Sequence, residues 1–214
     1  MTKVKICGIT NLEDALMAID AGADFLGFVN ARKSPRYLEP QEINNIVKKI
    51  PSDTPTVLVT HSQSLDEILD AHRNSGTEII QVHAPMGIND YAKISEAAKL
   101  IANVSIPSDI TEPSEGIIQR VEDLSRLCDF ILFDTKIGDQ IGGTGEKFHW
   151  GVARELKAYS KKPIFLAGGL KPNNVSLAVK EVDPYAVDVS SGVESSPGQK
   201  DSLKVRNFIN AVKG

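Results

Sequence analysis

Thiols are scarce in this sequence: Cys7 and Cys128 are its two cysteines in 214 residues, with no CxxC pair and no Cys/His cluster. That excludes a disulfide framework and supplies no zinc-ligand spacing, so neither a stapled secreted fold nor a metal site is expected. Long hydrophobic runs are missing too. No stretch approaches the roughly 18 continuous apolar residues of a membrane span, and Met1-Thr2-Lys3-Val4 opens no apolar signal region. A cytoplasmic protein with no membrane partner is the expectation. Nor is there an excess of positive charge: 24 Lys and Arg stand against 28 Asp and Glu, a net charge of -4, so nucleic acid is not an expected partner. Pro-, Gly- and Ser-rich segments such as Ser34-Pro35 and Ser195-Ser196-Pro197-Gly198 are short enough to be loops, not linkers. A single domain spanning 1–214, large enough to bury a sizeable core, follows.

What is present is alternation. Apolar, β-branched segments at Val4-Cys7, Phe25-Phe28, Val57-Val59, Glu78-Val82, Leu100-Ser105, Phe130-Asp134, Ile164-Ala167 and Ala186-Val189 read as strands. Helix-period segments separate them: Leu12 to Ala21, Pro40 to Lys49, Ser64 to Arg73, Gly87 to Ala98, Ser114 to Leu127, Trp150 to Ser160, Pro172 to Lys180 and Asp201 to Val212. Start signals include Thr10-Asn11 before Glu13-Asp14, Ser64 before Glu67, and Lys171-Pro172 before the seventh. Strand, crossover helix and strand repeated eight times predict an α/β fold, a single (β/α)8 TIM barrel of parallel strands. The competitor is an open doubly wound sheet, but Cys7-Gly8-Ile9-Thr10 stands where its GxGxxG fingerprint would follow the first strand.

In such a barrel, reactive groups lie at the carboxyl ends of the strands and on the loops that follow. That rule gathers Cys7 after strand one, Arg36 after strand two, His83 after strand four, Asp134 after strand six, Gly168-Gly169 after strand seven and Ser190-Ser191-Gly192 after strand eight. The last two loops have the composition of a phosphate cradle, in which glycines let backbone N–H groups approach an anion. The alternative for each is a tight turn. Arg36, beside Pro35, offers a planar fork for a carboxylate or phosphate, or is a surface arginine.

A cysteine at its reference pKa of about 8.5 is a few per cent thiolate at pH 7, enough to serve as a base or nucleophile. Cys128, between a helix and a strand, is assigned to packing. Asp134 as a general acid needs its pKa raised by about three pH units, roughly 4 kcal/mol, or proton uptake coupled to ligand binding. Otherwise it caps the loop that follows. His83 is a ligand contact or a hydrogen-bonded strand-end histidine, and His61, His72 and His149 read as loop or helix-surface residues.

Taken together, Lys5-Ile6-Cys7-Gly8-Ile9-Thr10, Ser34-Pro35-Arg36, Gln81-Val82-His83, Asp134 with Gly142-Gly143-Thr144-Gly145, Leu166 to Leu170, and Asp188 to Glu194 resemble the phosphoribosylanthranilate isomerase family over nearly the whole chain. The resemblance implies an Amadori rearrangement in tryptophan biosynthesis: N-(5-phosphoribosyl)anthranilate becomes 1-(2-carboxyphenylamino)-1-deoxyribulose 5-phosphate, with no cofactor and no metal. Asp134 matches the family's general acid and Cys7 its general base. Arg36 would hold the anthranilate carboxylate, Gly168, Gly169, Ser190, Ser191 and Gly192 the phosphate, and the Gly142 to Gly145 loop would close over a phosphosugar ligand. A monomer and a homodimer are both compatible. Ala84-Pro85, His149 and Asn30 depart from the family pattern. Two other readings stay open: a related phosphosugar barrel such as indole-glycerol-phosphate synthase or the histidine-pathway isomerase, and a barrel that binds a phosphorylated sugar without turning it over.

Overall fold

A computed structural model describes residues 1–137, 140–141 and 149–214. The Gly142 to Gly145 loop lies outside the described residues. Eight parallel strands form a closed ring: β1 (Lys3–Cys7), β2 (Phe25–Asn30), β3 (Thr56–Thr60), β4 (Ile79–Val82), β5 (Lys99–Pro107), β6 (Phe130–Ile137), β7 (Ile164–Leu166) and β8 (Ala186–Val189). Each strand pairs with the next, and β8 returns to β1 in the register Lys3↔Ala186 and Lys5↔Asp188. The helices are α1 (Leu12–Asp20), α2 (Pro40–Val47), α3 (Leu65–Ser75), α4 (Ile88–Ala97), α5 (Glu115–Leu124), α6 (Trp150–Lys157), α7 (Val175–Val182) and α8 (Ser202–Lys213). The (β/α)8 barrel expected from the alternation is what forms. Among the described residues no helix is long and apolar enough to cross a membrane.

Alternation along the strands divides the core. One buried cluster fills the space between barrel and helices, with Ile6, Leu26, Phe28, Ile80, Phe133 and Phe208 among its members. A second fills the lumen, where Phe25, Val57, Ile79, Ile101, Leu132 and Phe165 form an apolar plug. Polar side chains begin above that plug. Helix starts are set by side-chain caps: Asn11 accepts from the Asp14 N–H at α1, and Ser64, Ser114 and Asp201 do the same at α3, α5 and α8.

Two expectations change. Helix α7 begins at Val175, not Pro172, because Asn174 ties the preceding turn: its Oδ1 accepts from Lys171 N–H at 2.7 Å and its Nδ2 donates to the Gly169 carbonyl at 3.0 Å. Strands β5 and β6 also run beyond their apolar segments, since Ser105↔Asp134 through Pro107↔Lys136 continue to pair.

Candidate active site

At the carboxyl ends of the strands lies an open cavity of about 1220 Å³. Cys7, Arg36, His83 and Asp134 all line it, as do Gly168 and Gly169 from the loop after β7 and Ser190, Ser191 and Gly192 from the loop after β8. Residues up to 185 positions apart in sequence therefore face one space because eight strands end at one rim.

Cys7 and Lys5 are two residues apart on β1, so both point into the lumen. Space for them comes from Gly27: a methyl group there would sit 2.9 Å from the Cys7 Sγ and 3.1 Å from the Lys5 Nζ. Lys5 is fully buried and its Nζ lies 2.9 Å from Asp188 Oδ2. Burial works against the Lys5 ammonium, but Asp188 and Cys7 outweigh it and leave its pKa above the ordinary lysine value. Burial also pushes the Cys7 thiol up, opposed chiefly by Lys5. This corrects the ionised fraction expected from the reference pKa: before ligand binds, Cys7 is more fully protonated. Cys128 is a packing residue, as assigned: its thiol donates to the Leu124 carbonyl at 3.0 Å, and burial pushes its pKa up to about 11.

Asp134 is buried on β6, with Oδ1 accepting from the Thr135 N–H at 2.8 Å and Oδ2 lying 3.2 Å from His83 Nε2. Gln81 Nε2 is 3.4 Å from the other ring nitrogen of His83. In that arrangement Nδ1 accepts and Nε2–H points at the carboxylate. His83 is thus in direct contact with Asp134 while also lining the cavity. His61, read from sequence as a loop or surface residue, belongs with them: it follows β3 at the rim and stacks on His83 with ring centroids 4.9 Å apart.

Arg36 crosses Gly8, whose φ of 75° and lack of a side chain are both needed, since a methyl group there would lie 2.4 Å from Arg36 Cδ. Its guanidinium is already bound on one edge: Nε and Nη2 donate to Glu194 Oε1 and Oε2 at 2.8 and 2.6 Å. Lys200 donates to the same carboxylate at 2.8 Å. The loop carrying Arg36 is pinned by Asn30, one of the departures from the family pattern, whose Nδ2 donates to the Leu38 carbonyl at 2.9 Å. Another departure, His149, leaves α6 without a side-chain cap bond.

Gly168 has φ 85° and packs where a methyl group would overlap the Thr135 Oγ1 at 2.0 Å, so the loop after β7 is built for glycine. Neither Gly168 N–H nor Gly169 N–H meets an acceptor among the described residues. Lining the same cavity, Ser190 Oγ is buried without a hydrogen-bond partner among the described residues. Unspent donors at the two loops make a place for an anion.

Sequence reasoning missed Lys5, Asp188, Gln81, Glu194 and Lys200. A charge within the apolar runs Val4-Lys5-Ile6 and Val187-Asp188-Val189 was the available signal, because a lumen-facing charge needs a partner.

Residues 4–211 match a family model described as N-(5'-phosphoribosyl)anthranilate (PRA) isomerase. The chain is 38% identical to an N-(5'-phosphoribosyl)anthranilate isomerase of Thermotoga neapolitana, covering 100% of both sequences. Among solved structures it superposes with a TM-score of 0.89 and 37% identity on phosphoribosyl anthranilate isomerase from Thermotoga maritima, again over 100% of both chains. A phosphoribosyl anthranilate isomerase in complex with reduced 1-(o-carboxyphenylamino)-1-deoxyribulose 5-phosphate matches with TM-score 0.86 and 35% identity, over 100% of both chains. The chain belongs to the N-(5'-phosphoribosyl)anthranilate isomerase family.

Proposed function

We propose how this cavity carries out the isomerisation that family membership assigns to the chain, the conversion of N-(5-phosphoribosyl)anthranilate to 1-(2-carboxyphenylamino)-1-deoxyribulose 5-phosphate in tryptophan biosynthesis. The substrate phosphate sits on the N–H groups of the Gly168-Gly169 and Ser190 to Gly192 loops. Arg36, with one edge held by Glu194, offers its remaining N–H groups to the anthranilate carboxylate. The ribose then lies between Cys7 and Asp134.

Asp134, as general acid, gives a proton to the ring oxygen as the C1–O bond breaks. The nitrogen lone pair closes the C1=N bond, leaving an iminium ion. The iminium acidifies the C2 proton, and Cys7 removes it as thiolate. Those electrons form the C1=C2 bond and neutralise the nitrogen, and the resulting enolamine tautomerises to the ketose. The positive iminium beside Cys7 favours the thiolate that burial in the free protein disfavours. Ring opening needs a positioned acid and loss of the C2 proton a positioned base, the two roles given to Asp134 and Cys7. The observation that carries the reading is the convergence of Cys7, Asp134, Arg36 and both glycine loops on one cavity. In this proposal 1–214 acts as one cytoplasmic domain, a monomer or homodimer, with a small phosphosugar as its partner.

Loss of anthranilate-type fluorescence on incubation with freshly made phosphoribosylanthranilate tests it. Cys7→Ser and Asp134→Asn each lower kcat by at least about a hundredfold, the usual worth of a positioned acid or base, while affinity for the reduced product analogue holds. Full activity in either variant removes that residue from the chemistry.

A further inference from the structure

The lumen of this barrel contains an ion pair that the reaction as described leaves unused. Lys5 is wholly buried, its Nζ 2.9 Å from Asp188 Oδ2, directly above a plug of Phe25, Ile79, Ile101, Leu132 and Phe165. Burying an ammonium costs several kcal/mol even when it is paired, and apolar replacements of such pairs are often neutral or stabilising. Stability alone therefore does not account for the pair. Position does: Lys5 and Cys7 face the lumen from the same strand, and Gly27 supplies the space in which ammonium and thiol lie side by side, since one methyl group there would touch both.

We propose that Lys5 is a positioning residue for the base, a buried counter-charge clamped by Asp188 that aims the Cys7 sulfur into the cavity and stabilises its thiolate. The inference rests on the assignment of Cys7 as base and adds the group that makes a buried thiol serviceable. Charged groups reach Cys7 from several elements. Lys5 on β1 and Asp188 on β8 act in opposite senses, and Lys200 and Arg36 add positive charge from the rim. The last two are both tied to Glu194. Asp134 and His83, on β6 and after β4, act on Asp188. β2 contributes Gly27 and no charge. Lys5 is the cation that shares the space over Gly27 with the sulfur, so its removal is not compensated by the others.

The test measures the pH dependence of iodoacetamide alkylation at Cys7, read by mass spectrometry in a Cys128→Ser background, beside the pH profile of kcat/KM. With Lys5→Met, the alkylation midpoint rises by at least about one pH unit, a tenfold smaller thiolate fraction at fixed pH. The rising limb of kcat/KM moves with it, so raising the pH recovers activity. Lys5→Arg stays nearer the wild type. Because Lys5→Met leaves Asp188 unpaired, the Lys5→Met/Asp188→Asn double variant is measured alongside; its midpoint also rises, by less than in the single variant, because losing Asp188 acts in the opposite sense. An unmoved midpoint in both overturns the coupling of Lys5 to Cys7. A moved midpoint with an unmoved activity limb upholds that coupling and overturns the assignment of Cys7 as base.

Discussion

Glu194 is the point on which two charges at the rim depend, and Glu194→Ala exposes how much they depend on it. The substitution removes the acceptor of Lys200, whose side chain is fully buried, and both bonds of the Arg36 fork. Lys200 retains only a 3.4 Å contact to the Ser190 carbonyl. Breaking a buried pair by deleting one partner costs about 3–5 kcal/mol, because the remaining charge has neither water nor a counter-ion. Arg36 contributes less to that figure, since its side chain is 14% exposed and water reaches it. With a urea m-value of about 2–3 kcal/mol/M, the unfolding midpoint falls by about 1–2 M. Adding Lys200→Met to Glu194→Ala recovers part of the loss, and a double-mutant cycle gives a coupling above about 1 kcal/mol. The effect has a defined pH dependence. Burial pushes the Glu194 acid up, but Arg36 and Lys200 pull harder and hold it below the ordinary glutamate value. Its contribution is therefore fully present above the unfolded-state pKa of about 4.3 and is lost as pH falls through the lower folded value. The gap between wild type and variant narrows below about pH 4. A destabilisation under about 1 kcal/mol at pH 7, or a gap that widens in acid, refutes this account of the rim.

Gly27→Ala places a methyl group 2.9 Å from Cys7 Sγ and 3.1 Å from both the Cys7 Cα and the Lys5 Nζ, so the thiol must move. We expect about 1–3 kcal/mol of overpacking and a kcat loss of about a hundredfold from a misplaced base; unchanged steady-state kinetics contradicts the packing argument. Arg36→Ala removes charge-assisted bonds worth about 1.5–3 kcal/mol, which raises KM about tenfold to a hundredfold with a smaller change in kcat. An unchanged KM takes Arg36 out of the ligand site.

The barrel was legible because each strand carries an apolar, β-branched run and each helix its own period, so local pattern and global fold agree. Cys7, Asp134 and the two glycine loops were legible for the same reason: the rule that strand ends converge converts position along the chain into proximity. What escaped were partnerships. Nothing local to Lys5 announces Asp188, 183 positions away, and nothing near Arg36 announces Glu194, 158 positions away. The reach of β6 beyond Asp134 escaped because Thr135 and Lys136 break the apolar run, while backbone pairing with β5 carries the strand on through them. His61 is the exposed loop residue it reads as, one position past the end of β3; what escaped is that at a barrel mouth such a residue also lines the site. The ionisation of Cys7 escaped because a reference pKa carries no burial, and burial is what pushes this thiol up.

The central claim is that a thiol from β1 and a carboxyl from β6 address one ribose from two sides. A crystal structure of this protein soaked with the reduced product analogue measures it directly. The account predicts the Cys7 Sγ about 3–3.5 Å from sugar carbon C2, an Asp134 oxygen within about 2.6–3.2 Å of the former ring oxygen, and the phosphate on the N–H groups of Gly168 and Gly169. A ligand whose sugar carbons contact only one of the two residues, or whose phosphate lies away from both glycine loops, contradicts it.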